Sequence, residues 1–69
     1  MAQTTTTTRE ERIAVLRRQW EHFQDVFVKA RARGDWELAT NARGSLSLIA
    51  RELRKLGEPV PEGPAGPLL

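Results

Sequence analysis

Apolar residues fall at alternating steps of three and four along two stretches of the chain. Ile13, Leu16, Trp20, Phe23, Phe27 and Ala30 form the first series, and Ala39, Ala42, Leu46, Ile49, Leu53 and Leu56 form the second. This is the heptad a/d spacing, which aligns one apolar stripe along an α-helix. It predicts helices over residues 9–33 and 36–56, and no strand is expected. Folding the chain back at Gly34-Asp35 pairs residues equally distant from the bend: Ala30 with Ala39, Phe27 with Ala42, Phe23 with Leu46, Trp20 with Ile49, Leu16 with Leu53 and Ile13 with Leu56. Large Phe27 opposite small Ala42 is the size alternation that lets two facing layers interdigitate. The expected fold class is all-α, an antiparallel two-helix hairpin over residues 9–57.

Polar and special residues punctuate these helices. Thr8 with Glu11 three residues later reads as a capping box, with Thr7 and Glu10 as an alternative one residue earlier. Between Arg9 and Gly57 there is no proline, and helix formers dominate. Gly34 suits the left-handed position that ends a helix, and Asp35 can accept from the free N–H groups that start the next one. Gly57 followed by Pro59 closes the second helix in the same manner. The tripeptide Arg33-Gly34-Asp35, an adhesion motif in other contexts, is accounted for here as last turn, stop and start.

One hairpin does not consume all the apolar surface. Val15 and Val26 lie beside the main stripe of the first helix and widen its apolar arc to about 160°. Trp36, Leu38 and Leu48 project off the seam of the second helix. A chain of 69 residues buries a small share of its surface, and the absence of cysteine removes disulfides and thiolate metal sites as supports. The hairpin is therefore expected to oligomerise through Val15, Val26, Trp36, Leu38 and Leu48, as a dimer with a four-helix core or as a larger ring.

The flanking segments differ in composition. Residues 1–8 are Thr-rich, and residues 58–69, "EPVPEGPAGPLL", hold four prolines and two glycines. Both are expected to be disordered tails without helix or packed strand. Val60, Leu68 and Leu69 are nevertheless apolar, which suits docking of the second tail on a partner protein. No apolar run approaches the roughly 18 residues that span a bilayer, and no basic-then-apolar signal peptide opens the chain. The expected location is the cytoplasm of a bacterium or phage-infected host, with no membrane partner.

Charge leaves an anionic partner open. Eleven basic residues, nine of them arginine, stand against nine acidic ones. They concentrate at Lys29, Arg31, Arg33 and Arg43 near the bend, and at Arg9, Arg12, Arg17, Arg18, Arg51, Arg54 and Lys55 at the open end. Repeated around an oligomer, such clusters become rings of positive potential suited to phosphate. Arg31, Arg33, Arg43, Arg51 and Arg54 are the candidate DNA contacts. A strip of small residues, Thr40, Gly44 and Ser47, marks where another backbone can come close. Catalysis finds no support, because His22 has no carboxylate placed to orient it and no acidic pair suggests a metal or glycosidase site. No enzyme activity, cofactor or metal is expected.

The segment "ARARGDWELATNARGSLSLIARELRKLGE", residues 30–58, resembles the helical hairpin of phage terminase small subunits. The resemblance rests on an alanine-containing helix, a Gly-Asp bend, spaced Ala39, Ala42, Leu46, Ile49 and Leu53, and a terminal Leu56-Gly57. It implies an oligomeric, often ring-shaped DNA-packaging factor that hands viral DNA to a large-subunit packaging ATPase. The 69 residues include no counterpart of the N-terminal helix-turn-helix domain that usually carries the DNA contacts of such proteins, so sequence-specific reading of DNA does not follow from the resemblance. The function expected is thus a small oligomeric helical adaptor binding DNA through arginines and a partner through its tail. The alternative is a helical protein-binding regulator or inhibitor without DNA binding.

Overall fold

The computed structural model describes residues 8–61 and 63. Two helices, α1 (Arg9–Ala32) and α2 (Trp36–Lys55), pack along each other as an antiparallel hairpin, and the described residues include no strand. Each boundary has a local cause. The Thr8 hydroxyl accepts from the Glu11 N–H at 3.1 Å while the Glu11 carboxylate accepts from the Thr8 N–H at 3.0 Å, so the expected capping box opens α1.

The bend is short, with only Arg33, Gly34 and Asp35 between the helices. The Gly34 N–H donates to the Arg31 carbonyl at 3.0 Å and the Asp35 N–H to the Ala30 carbonyl at 2.8 Å, a Schellman closure. Asp35 also caps α2, its Oδ1 accepting from the Leu38 N–H at 3.1 Å. One aspartate therefore ends one helix and begins the next. The same closure recurs at the far end, where the Gly57 N–H donates to Arg54 and the Glu58 N–H to Leu53, both at 3.0 Å. Gly34 at φ 76° and Gly57 at φ 75° hold the left-handed conformation that both closures require.

Leu16, Trp20, Leu46, Ile49, Ala50 and Leu53 form the centre of the core, with Phe23, Phe27, Leu56 and Val60 packed against it. Ile13, Ala30, Ala39 and Ala42 carry the buried seam along both helices. The seam differs from the heptad stripe in a consistent direction. Phe23, Phe27 and Leu56 are half-buried, whereas Gln24 and Ala50, which lie to one side of the stripe, are buried. The cause is a third segment. Residues 58–61 and 63 are irregular, as their prolines require, yet Val60 packs on the core. Gly63 lies so close to Gln24 that a Cβ there would sit 2.5 Å from the carboxamide carbon.

Leu46 and Leu48 provide a test of this arrangement, since one is fully buried and the other 61% exposed. Leu46→Ala is expected to cost about 2–5 kcal/mol, enough to remove most of the stability of so small a fold. Leu48→Ala is expected to stay within about 0.5 kcal/mol. Urea unfolding followed by circular dichroism measures both, and equal losses would contradict the placement of α2.

Candidate functional site

The hairpin has two flanks, and side chains define each. Val15 and Arg17 precede and follow Leu16, so they diverge by about 100° to either side of the seam. Arg17 lies on the flank of Gln24 and the C-terminal segment, where its guanidinium meets Glu58 Oε1 at 2.9 Å. Arg9 meets Glu58 Oε2 at 3.0 Å and also donates to the Leu56 carbonyl, tying the start of α1 to the end of α2. This is the strap flank.

The opposite flank carries Val15 and Val26 of α1 and Leu38 of α2. Val15 is exposed, and Val26 and Leu38 are half-buried. Arg12 crosses this flank near the open end to reach Glu52 at 2.8 Å. Beside the valines, the exposed His22 ring stands edge-on to Phe23, with centroids 5.1 Å apart and planes at 74°. His22 therefore packs against an aromatic neighbour.

The five apolar residues expected at an oligomer interface do not share one surface. Val15, Val26 and Leu38 do, by helical rotation. Trp36 lies on the strap flank at the bend, 63% exposed, and Leu48 faces outward from α2. The expected arginines also separate. Arg31 and Arg43 come together around a cavity at the bend that Phe27, Trp36, Ala39 and Thr40 complete. Arg51 and Arg54 follow Arg43 along the same side of α2 at about 12 and 16 Å of helical rise. Arg33 is the exposed C-cap residue of α1.

Several cations of the open-end cluster are matched by acids. Arg9 and Arg17 share Glu58, and Arg12 and Lys55 share Glu52. Lys29, near the bend, pairs with Asp25 one helical turn earlier. The candidate tail contacts divide as well. Val60 packs on the chain's own core, while Leu68 and Leu69 lie outside the described residues. Among the described residues, nothing beyond the adjacent backbone of α2 stands within 4 Å of a Cβ built on Gly44, so the described part of the hairpin does not use the close approach that this residue permits.

Sequence periodicity does not reveal the Glu58 clasp or the burial of Gln24, because both depend on an irregular segment. The charge pattern did hold a signal: Glu58 follows a helix-ending glycine and has two arginines within one hairpin length. Among the described residues, no group of three or more His, Cys, Asp or Glu is placed to hold a metal ion. No helix among them is long and apolar enough to cross a membrane. The class defined by fold and surface is thus a helical hairpin strapped along one flank. No protein-family model matches the chain, and neither does a curated protein or a solved structure.

The Arg12–Glu52 contact makes a pH prediction. The hydrogen bond from Arg12, followed by the nearby Lys55 ammonium, holds the Glu52 carboxyl below the usual glutamate range. Because the folded value is lowered, the contribution is complete above the unfolded value of about 4.3 and disappears as pH falls through the folded value. Wild-type chain should therefore resist urea better than Glu52→Gln at neutral pH. The two curves should converge under acid conditions. A constant difference across the titration would contradict this role.

Proposed function

We propose that this chain is a small helical adaptor that self-associates through the flank carrying Val15, Val26 and Leu38. The observation that carries this reading is the asymmetry of the hairpin. One flank has Val60 and Gly63 laid along it, and the other leaves Val15 exposed with Val26 and Leu38 half-covered. A second copy related by a two-fold axis presents the same apolar residues to it, which is the usual route to a closed dimer. Such a dimer gives each hairpin the additional layer that small helical domains need.

In this reading the partner of the assembled adaptor is DNA, contacted by Arg31, Arg33, Arg43, Arg51 and Arg54. Arg43, Arg51 and Arg54 run along one side of α2 with Arg31 beside the first of them, and self-association doubles that row. The resemblance to small terminase subunits supports the same role, with a large packaging ATPase as the protein that receives the DNA. A second reading, a helical protein-binding regulator without DNA, is favoured by the ion pairs that occupy Arg9, Arg12 and Arg17. Those pairs reduce the positive potential of the open end, so the bend and the outer side of α2 must supply the phosphate contacts.

Two measurements test these statements. Light scattering at micromolar concentration should give at least a dimer mass, and Val15→Asp with Val26→Asp should give a monomer that keeps its helical signal. A wild-type monomer with sharp unfolding would sink the self-association. For the DNA partner, Arg31, Arg33 and Arg43 changed together to Gln should weaken duplex binding and flatten its salt dependence. If the wild-type chain binds no DNA at low salt, the regulator reading replaces this one.

A further inference from the structure

The bend holds an open cavity of about 450 Å³, lined by Phe27 and Arg31 of α1 and by Trp36, Ala39, Thr40 and Arg43 of α2. Two aromatic rings and two guanidinium groups thus meet in one place, and no carboxylate joins them. Asp35 and Glu37 flank Trp36 in the sequence, but neither lines the cavity, and the Asp35 Oδ1 accepts from the Leu38 N–H. None of Val15, Val26 and Leu38 lines it either, so the cavity is separate from the flank assigned to self-association.

Trp36 is the residue that the fold leaves unexplained. It is the first residue of α2, where a ring has no capping role, and it stays 63% exposed. Trp20, the other tryptophan, is 4% exposed and belongs to the core. Leaving an indole in water costs free energy, and its flat faces suit stacking against another ring. Arg31 stands near the second ring, its guanidinium carbon 5.9 Å from the Phe27 centroid. No acid among the described residues pairs with it.

Charge and shape together select the partner. Guanidinium groups with no carboxylate among them favour an anion. Duplex phosphates alone would need no aromatic platform, because each base of a duplex already has its faces stacked on its neighbours. An unpaired strand differs, since its bases can stack on an exposed ring while its phosphates follow a cationic groove. We propose that the bend cavity binds single-stranded nucleic acid, with one base stacked on the Trp36 indole and the adjoining phosphate held by Arg31. Arg43, on the facing helix, adds to the positive potential of the cavity. This rests on the nucleic-acid reading above and narrows it to unpaired strands at this one place.

Trp36 is itself the reporter. A thymidine oligomer of about 12 nucleotides, within the usual span of a single-strand site, should quench the indole emission of the native chain, and the quenching should vanish in Trp36→Leu. That substitution should weaken single-strand binding about tenfold while leaving binding to a duplex of equal length unchanged. Trp36→Phe, which keeps a ring for stacking, should retain most of the affinity, and both variants should show the wild-type helical signal. Arg31→Gln should lower the salt dependence of single-strand binding, and Trp36→Leu should leave it as it is. Equal losses for single strand and duplex in Trp36→Leu, or no loss for either, would overturn this site while leaving the DNA reading in place. Poly-glutamate that quenches Trp36 and competes as well as the oligomer would also overturn it, in favour of an acidic protein partner. No binding to either form of DNA would remove this proposal together with the reading on which it rests.

Discussion

Glu58 determines how the chain is arranged. Its N–H closes the end of α2 on the Leu53 carbonyl, and its two carboxylate oxygens are taken by Arg9 and Arg17 on α1. Three points of attachment on a single residue leave the following chain one direction, back along α1. Exposed ion pairs of this type contribute about 0–1 kcal/mol each. Their effect is on direction, then, while stability comes from burying Trp20, Leu46, Ile49 and Leu53. The clasp joins the two ends of the hairpin, and beyond it Val60 packs on the core and Gly63 lies on Gln24.

From that direction comes the difference between the two flanks. A bare hairpin would leave both sides of its seam partly open. Here one side receives a third segment, while the side of Val15, Val26 and Leu38 has no such cover among the described residues; Val28, Trp36 and Leu48 stay exposed elsewhere. The clasp also affects charge. Arg9 and Arg17 belong to a strongly basic end in the sequence, but in the fold they serve Glu58. The proposed adaptor role assigns self-association to the flank of Val15, Val26 and Leu38 and an anionic partner to the arginines of the bend and of α2.

Most of the fold was legible in the sequence because its determinants are local. Thr8 and Glu11, Gly34 and Asp35, and Gly57 act over four or five residues, and the heptad spacing marks both helix faces. The departures share one cause. Gln24 and Ala50 lie beside the stripe and are buried, and Phe23 lies on it and is half-covered, because the covering segment is neither helix nor strand and has no period to detect. The surface was less legible for the same reason. Val15, Val26 and Leu38 share a flank, as helical rotation requires, but which flank the chain itself would occupy depended on where Glu58 is held. Arginine clustering could be counted along the sequence, whereas its pairing with Glu52 and Glu58 arises between residues some 40 positions apart.

Residues 58–61 and 63 lie against the hairpin as part of the fold, with Val60 on the core and Gly63 on Gln24. Gly63 and Gln24 give the most direct access to this arrangement, since they touch only if the segment takes this position. Nuclear Overhauser spectra of the native chain should show cross-peaks between the Gly63 α-protons and the Gln24 side-chain amide protons, with Gly63 relaxing at the rate of the helices. Absent cross-peaks, together with Gly63 relaxing as a free chain end, would contradict the account.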